Sequence, residues 1–390
     1  MPLASSPPDR DLELARLRAL LRRLEASPPP RPRPAPTASP LESVATPHGP
    51  ALRRVEFVPF RRLGLEVAAP PDGTVYLDAE TTGLAGGTGT YVFLVGLATW
   101  RETGLRITQY FLGDLGAEAA FLAALHGALA DVRELVTFNG RTFDLPLLET
   151  RYLLGRARWW GDTVAHRDLY PLARALWRGL VADCRLTTLE GALLGLDRGD
   201  DLPGALVPQL YFRYLRTGDP GPLPRIFRHN RWDLVALAAL HARADALLDG
   251  PDPRHHALEW VGAGRWLERR DPSRSAVFYE AALQAGVAPE LDAWVAWRLG
   301  LLRRRGGRIE DTRRLWSQAV ARAARPPLGL VVDLAKLHEH RARDFAAALT
   351  LVQAALGRLE ADGARAGARP LLTAALHRRA ARLRRRLGGG

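Results

Sequence analysis

Between residues 76 and 138 the chain sets three apolar, strand-length runs in succession and then interrupts them with a helix. Tyr76-Leu77 leads into Asp78, residues 91–100 (Tyr-Val-Phe-Leu-Val-Gly-Leu-Ala-Thr-Trp) form a second run, and residues 106–112 a third. Two glycine-bearing turns separate the three, so they are expected to pair as an antiparallel meander. A helical pattern over residues 118–130 and a fourth strand at Glu134-Leu135-Val136-Thr137-Phe138 follow. Further helices are expected near residues 143–154, 186–196 and 224–247. Strands first and then strand–helix alternation call for an α/β architecture, a mixed sheet flanked by helices.

The flanks read differently. Residues 10–26 carry Leu12, Leu14, Leu17, Leu20, Leu21 and Leu24 near helical spacing. The stretch Ser27-Pro28-Pro29-Pro30-Arg31-Pro32-Arg33-Pro34-Ala35-Pro36 cannot build ladders and reads as a semi-rigid linker. Residues 1–51 are therefore expected to be a helix and a Pro-rich disordered linker, with the folded α/β domain over 52–249. After Asp249-Gly250-Pro251-Asp252-Pro253 strand signals stop. Three short runs then recur, at residues 278–283, 315–320 and 351–356, each preceded by another amphipathic segment at 264–269, 298–303 and 335–340. Two helices per unit and a period in the middle thirties resemble a degenerate tetratricopeptide array over 254–390, a plain helical bundle being the other arrangement open to it. Such arrays bind partners along a curved surface.

Charge narrows the partner. A formal net charge of +13 and a pI near 10.8 favour a polyanion such as nucleic acid, or else simply a solvated basic surface. The positive charge is almost wholly arginine, Lys336 being the lone lysine, and much of it clusters in Arg378-Arg379-Ala380-Ala381-Arg382-Leu383-Arg384-Arg385-Arg386. The single cysteine, Cys184, excludes an internal disulfide framework and an all-cysteine zinc site. No apolar run reaches the roughly 18 residues a membrane span needs. The first ten residues lack the basic-then-apolar order of a signal peptide, so a cytoplasmic address is expected.

Phosphodiester cleavage by two divalent ions requires several carboxylates converging on one point, each at the end of a buried element. Asp78 and Glu80 stand two apart at the end of an apolar strand, so both side chains point to one face. Side by side there they repel unless a cation lies between them, although strand-end acids before Thr81-Thr82-Gly83 can also open a polar turn. In Thr137-Phe138-Asn139-Gly140-Arg141-Thr142-Phe143-Asp144, a strand ends at a turn pair and Asp144 enters the first turn of a helix. Ordinary helix-dipole pairing accounts for an acid there equally well. In Arg228-His229-Asn230-Arg231-Trp232-Asp233, His229 and Asp233 share one helical face, as a water-activating pair or as a surface pair.

Together the three pieces, Asp-x-Glu, Asn then Asp, and His-x-x-x-Asp, resemble the 3′–5′ exonucleases of the DEDD superfamily. More closely, the chain is similar to the YprB-like ribonuclease H-like family, which often joins this domain to tetratricopeptide repeats. Asp78-Ala79-Glu80-Thr81-Thr82-Gly83-Leu84, Phe138 to Asp144, Arg167-Asp168-Leu169, Asp201-Leu202-Pro203-Gly204 and His229 to Asp233 carry the likeness, over residues 70–245. The run from Asn139 to Asp144 is also similar to the proofreading domain of family B DNA polymerases. The resemblance implies a ribonuclease H-like fold and two Mg²⁺ or Mn²⁺ ions held by Asp78, Glu80, Asp144 and Asp233. It implies 3′–5′ exonuclease activity on DNA or RNA, with single-stranded ends as substrate. His229 would join the catalytic set, and Thr81, Asn139 and Asn230 would hold the substrate or brace the ligands. His229 sits where one exonuclease subclass has tyrosine, at x-three spacing rather than the x-four of the histidine subclass. Its duty is therefore open between positioning water and acting as a general base.

Three weaker features complete the reading. Residues 83–89 are glycine-rich but lack the Gly-Lys-Ser/Thr of a phosphate loop, and are expected to form a flexible hairpin at the site mouth. Asp168 is expected to support the site from a strand end. Trp159, Trp160 and Trp177 are expected in packing rather than stacked on bases. The alternative to an enzyme is a nucleic-acid-binding or protein-interaction scaffold, with an inactive nuclease fold and helical repeats that recruit a protein partner.

Overall fold

The computed structural model describes residues 41–60, 69–83, 88–361 and 370–388. The helix and linker expected before residue 37 lie outside the described residues, as does most of the glycine-rich turn at 84–87. Two compact units divide the chain. One comprises the described residues up to Ala173 with Val181–Ala244, the other Arg174–Leu180 with the described residues from Asp245 onward.

The first unit is built on a seven-stranded mixed sheet of order β1-β2-β5-β4-β3-β6-β7. Its strands are β1 (Glu42–Thr46), β2 (Gly49–Pro59), β3 (Thr74–Thr81), β4 (Val92–Arg101), β5 (Gly104–Phe111), β6 (Glu134–Thr137) and β7 (Ala165–Asp168). β3, β4 and β5 form the antiparallel meander, while β6 runs parallel to β3 and β7 parallel to β6. The expected start of the folded part near residue 52 needs correction: β1 and β2 form a hairpin that extends the sheet beyond β5. Alternation in Arg54-Val55-Glu56-Phe57 supplies the strand signal, and Gly49, at φ 107°, allows the turn before β2.

Helices cover both faces. On β3, Val75, Leu77 and Ala79 join a core with Phe121, Leu122 and Leu125 of α1 (Glu118–Ala128) and with Leu147, Leu148 and Tyr152 of α2 (Asp144–Leu154). Arg151 grips Glu118 through two hydrogen bonds, Nε–Oε1 of 2.5 Å and Nη2–Oε2 of 2.6 Å, clamping α2 to α1. After β7 come α3 (Leu169–Trp177) and α4 (Leu186–Leu189), which passes directly into a π-helical turn, Glu190–Leu194. Then follow α5 (Val207–Thr217) and the long α6 (Leu223–Asp249). The opposite face of β3, bearing Tyr76, Asp78 and Glu80, lies beneath α6. Tyr76 meets His241 at 3.0 Å and Asp78 meets Asn230 at 2.8 Å. Trp160 and Trp177 are buried and Trp159 is half-buried against the core, so all three are used in packing.

The described part of the second unit is helical: α7 (Ala257–Leu267), α8 (Pro272–Ala285), α9 (Pro289–Arg305), α10 (Ile309–Arg322), α11 (Leu328–Leu337), α12 (Phe345–Ala361) and α13 (Pro370–Gly388). Successive helices pack on one another and one joining device recurs. Ser275 Oγ donates to the Gly264 carbonyl at 2.7 Å, and Thr312 Oγ1 donates to the Gly300 carbonyl at 3.3 Å. In each case the glycine lies against a buried ring, Tyr279 or Trp316. At the third position Ala335 and Ala348 are fully buried, and α11 ends in a π-helical turn, His338–Ala342.

Gly300 tests this arrangement. A Cβ there would stand 2.0 Å from Trp316 Nε1, whose indole donates to the Ala296 carbonyl. Gly300→Ala is expected to destabilise the helical unit by about 1–3 kcal/mol through overpacking. The readout is a lower urea midpoint by circular dichroism, and an unchanged midpoint would refute the close packing.

Candidate metal centre

The centre forms where three chain segments meet under α6. Asp78 and Glu80 come from β3, Asp144 from the start of α2, and His229, Asn230 and Asp233 from α6. Their convergence rests on a row of residues running across the sheet. Arg54 on β2 pairs in register with Gln109 on β5, Gln109 with Gly96 on β4, and Gly96 with Asp78 on β3. Arg54 Nη1 donates to Gln109 Oε1 at 3.1 Å, and Gln109 Nε2 donates to Asn230 Oδ1 at 2.8 Å. Asn230 Nδ2 in turn donates to Asp78 Oδ2 at 2.8 Å and to the Asp78 carbonyl at 3.1 Å. Gly96 makes the row possible, because a Cβ there would come within 2.1 Å of Asn230 Oδ1. Asn230 is fully buried, with its amide bonded to Gln109 and Asp78.

Asp144 is set by the Asn139-Gly140 turn. Asn139 adopts φ 64°, a left-handed conformation that asparagine tolerates. Its backbone N–H donates to Asp168 Oδ1 at 2.8 Å, and the Arg141 N–H donates to Asp168 Oδ2 at 3.1 Å. Asp168, at the end of β7, thus fixes the turn that delivers Asp144. The Asn139 side chain accepts from Thr142 Oγ1 and is exposed. Thr81 is buried, its hydroxyl donating to the Gly83 carbonyl.

A third contribution comes from the segment between α4 and α5, where the sequence pointed to Asp201-Leu202-Pro203-Gly204 through the family likeness but not to Arg198 or Glu190. Arg198 donates to Glu190 through Nε at 2.5 Å and Nη2 at 2.6 Å, to Asp201 Oδ2 at 3.2 Å, and to Asp233 Oδ1 at 2.6 Å. Asp201 Oδ2 also lies 2.9 Å from His229 Nδ1, and the other ring nitrogen, Nε2, faces Asp233 Oδ2 at 3.5 Å. Glu80, His229 and Asp233 each bring one ligand atom to within 4.8 Å of the others.

The electrostatics of the cluster are strained without a counter-charge. Burial pushes the Asp78 carboxyl well above its ordinary value, and Asp233, Glu80 and Asp144 push it further. Burial likewise raises Glu80 to about 8, with Asp233 and Asp144 adding to it and His229 opposing. Asp144 is raised to about 7, chiefly by burial, although backbone amides including that of Ala79 hold it down. For His229, burial disfavours the charged ring, but the Asp201 hydrogen bond and the Asp233 and Glu80 carboxylates prevail and raise it to about 9. Keeping Glu80 ionised in this cluster is therefore unfavourable without added positive charge. Glu80 Oε1 is buried with no hydrogen-bond partner among the described residues. An orphaned carboxylate oxygen in an oxygen-rich cluster fits divalent cations, and Asp78, Glu80, Asp144 and Asp233 could hold them.

Two outcomes follow. The raised groups bind more protons folded than unfolded, so metal-free stability falls as pH rises from the ordinary carboxyl range towards about 8. His229 acts in the same direction up to about 9, while Asp201, held down to about 2, changes only at lower pH. The melting temperature of the metal-free protein is expected to drop between pH 5 and 8, and the Mn²⁺-induced rise in melting temperature to grow over the same interval. Gly96→Ala, by displacing Asn230, should lower melting by roughly 2–10 °C and shrink that Mn²⁺ response. Full retention of both would exclude the brace.

Comparison with known proteins places these residues in a family. Residues 75–244 match the RNase H superfamily. The uncharacterized protein YprB of Bacillus subtilis (strain 168) is 30% identical over 315 residues, covering 80% of this chain and 74% of YprB. Among solved structures, the family B DNA polymerase of the hyperthermophilic archaeon Pyrobaculum calidifontis aligns with 65% of the chain at 15% identity and a TM-score of 0.35. The match takes in 34% of that polymerase, so the chain spans about a third of its length. The chain belongs to the YprB family and carries an RNase H superfamily domain over residues 75–244.

Proposed function

We propose that the chain is a 3′–5′ exonuclease of the DEDD type, dependent on Mg²⁺ or Mn²⁺, that trims single-stranded ends of DNA or RNA. The observation that carries this reading is the convergence of buried Asp144 with half-buried Asp78, Glu80 and Asp233, with Glu80 Oε1 left unpartnered among the described residues. Two bound divalent ions would supply water activation and stabilisation of the leaving oxygen. The chain's own residues do the rest. β3 and α2 fix three carboxylates on rigid element ends, and α6 brings the fourth. Asn230 holds Asp78 in one orientation, while Arg198 holds Asp233 and Asp201 together. The described helices after Ala257 are proposed as a tetratricopeptide-like array that takes a protein partner, on the strength of the repeated Ser275–Gly264 and Thr312–Gly300 bonds.

The test is Mn²⁺-dependent trimming of 5′-labelled oligonucleotides, single- and double-stranded, DNA and RNA. Wild type should give a ladder that shortens from the 3′ end and that a blocked 3′ terminus prevents. Asp78→Ala or Asp233→Ala should slow trimming by about a thousandfold or more, since a misplaced ion removes several kcal/mol at about 1.4 kcal/mol per tenfold. Circular dichroism should remain that of wild type. Trimming that persists in either variant would overturn the assignment, and a protein that binds the oligonucleotides without cutting them is the scaffold instead.

A further inference from the structure

His229 differs from the other buried histidine of α6. His241 uses both ring nitrogens within the protein, Nδ1 with the Tyr76 hydroxyl at 3.0 Å and Nε2 with Arg167 at 2.9 Å. His229 is 8% exposed and ties only Nδ1 to a hydrogen-bond partner, Asp201 Oδ2. A carboxylate on one imidazole nitrogen fixes the tautomer and ring orientation and makes the other nitrogen a better donor to a cation. Asp201 is itself held by Arg198, which steadies its hold on the ring. Arg198 also occupies Asp233 Oδ1 and leaves Oδ2 turned to His229 Nε2. On the remaining side stands Gly204, where even a Cβ would lie 3.3 Å from Nε2. Glu80, His229 and Asp233 each bring one possible ligand atom to within 4.8 Å of the others, and Glu80 Oε1 is buried without a hydrogen-bond partner among the described residues.

We infer that His229 Nε2 is a direct ligand, making with Glu80 and Asp233 a mixed nitrogen–oxygen site that takes Mn²⁺ in preference to Mg²⁺. The inference rests on the metal-dependent reading of the same centre and gives His229, whose duty the sequence left open between positioning water and acting as a general base, the part of a ligand. Magnesium prefers oxygen donors and dehydrates reluctantly, whereas imidazole suits the first-row transition ions. Asp201 acts as the positioning residue, its duty being to keep Nε2 pointed at the cation.

The decisive measurement is pulsed electron paramagnetic resonance of Mn²⁺ added to the full-length protein. A ¹⁴N coupling is expected in wild type, replaced by the ¹⁵N pattern when histidine alone is ¹⁵N-labelled, and absent in His229→Gln. The labelled wild type keeps the test independent of how well any variant folds. Competition of Mg²⁺ against Mn²⁺ should show the Mn²⁺ preference falling by roughly tenfold in His229→Gln, and Asp201→Asn should weaken Mn²⁺ binding by about 10- to 100-fold. Mn²⁺ that binds with no nitrogen coupling overturns the ligand role and leaves the carboxylate metal centre standing. Failure of Mn²⁺ to bind at all overturns both.

Discussion

Asn230 reaches the sheet through the one place where β4 carries no side chain, above Gly96, and everything that converges on Asp78 depends on that approach. Its amide replaces the missing side chain in a row that otherwise runs unbroken from Arg54 through Gln109 to Asp78. A buried amide of this kind stabilises only when every donor and acceptor finds a partner, and here Gln109 and Asp78 supply them. The row therefore does two jobs at once. It locks α6 in register over the strands, and it orients a carboxylate that would otherwise turn away from its neighbours.

Against that fixed geometry stands the repulsion of the acids themselves. The four come from three separate elements, each placing its acids by its own local chemistry: period-2 alternation for Asp78 and Glu80, the Asp168-anchored turn for Asp144, a helical face for Asp233. Their partial burial magnifies the mutual repulsion, because water screens it less than at an open surface. Arg198 relieves the part of the cluster nearest Asp233 and Asp201, and His229 relieves the part nearest Glu80. Asp78 and Asp144 have no such cation beside them among the described residues, which concentrates the demand for added positive charge at the β3 end of the site.

Much of this was legible in the sequence because its signals are local. Two acids at i and i+2 after an apolar run, a turn pair before Asp144, and His229 four residues before Asp233 all announce their geometry directly. The meander and the helix at residues 118–130 were legible for the same reason. What escaped depends on contacts far apart in the chain. Gln109 looks like an ordinary strand polar residue until Asn230, 121 positions on, is placed beside it. Gly96 carried a readable hint, since an interior strand glycine often marks a close backbone approach, but the approaching group could not be named. Arg198 and Glu190 had no pattern at all, their pairing being made by a π-helical turn that no periodicity encodes. The sheet's start was hidden by composition: the prolines upstream drew the linker too far, past β1 and into β2.

That misplaced boundary has a consequence for the sheet's outer margin. β2 is eleven residues long and β1 only five, with exposed Glu42 and Ser43 at its head. Long edge strands with unpaired amides and carbonyls invite pairing with another molecule, and short polar ones discourage it. β1 therefore serves as a cover strip, exchanging a long edge for a brief and charged one. A chain trimmed to begin at residue 52 would lose that strip and bare the backbone of β2, the strand that carries Arg54. Its first symptom would be self-association along the sheet, and the same association would pull on the row that steadies Asp78.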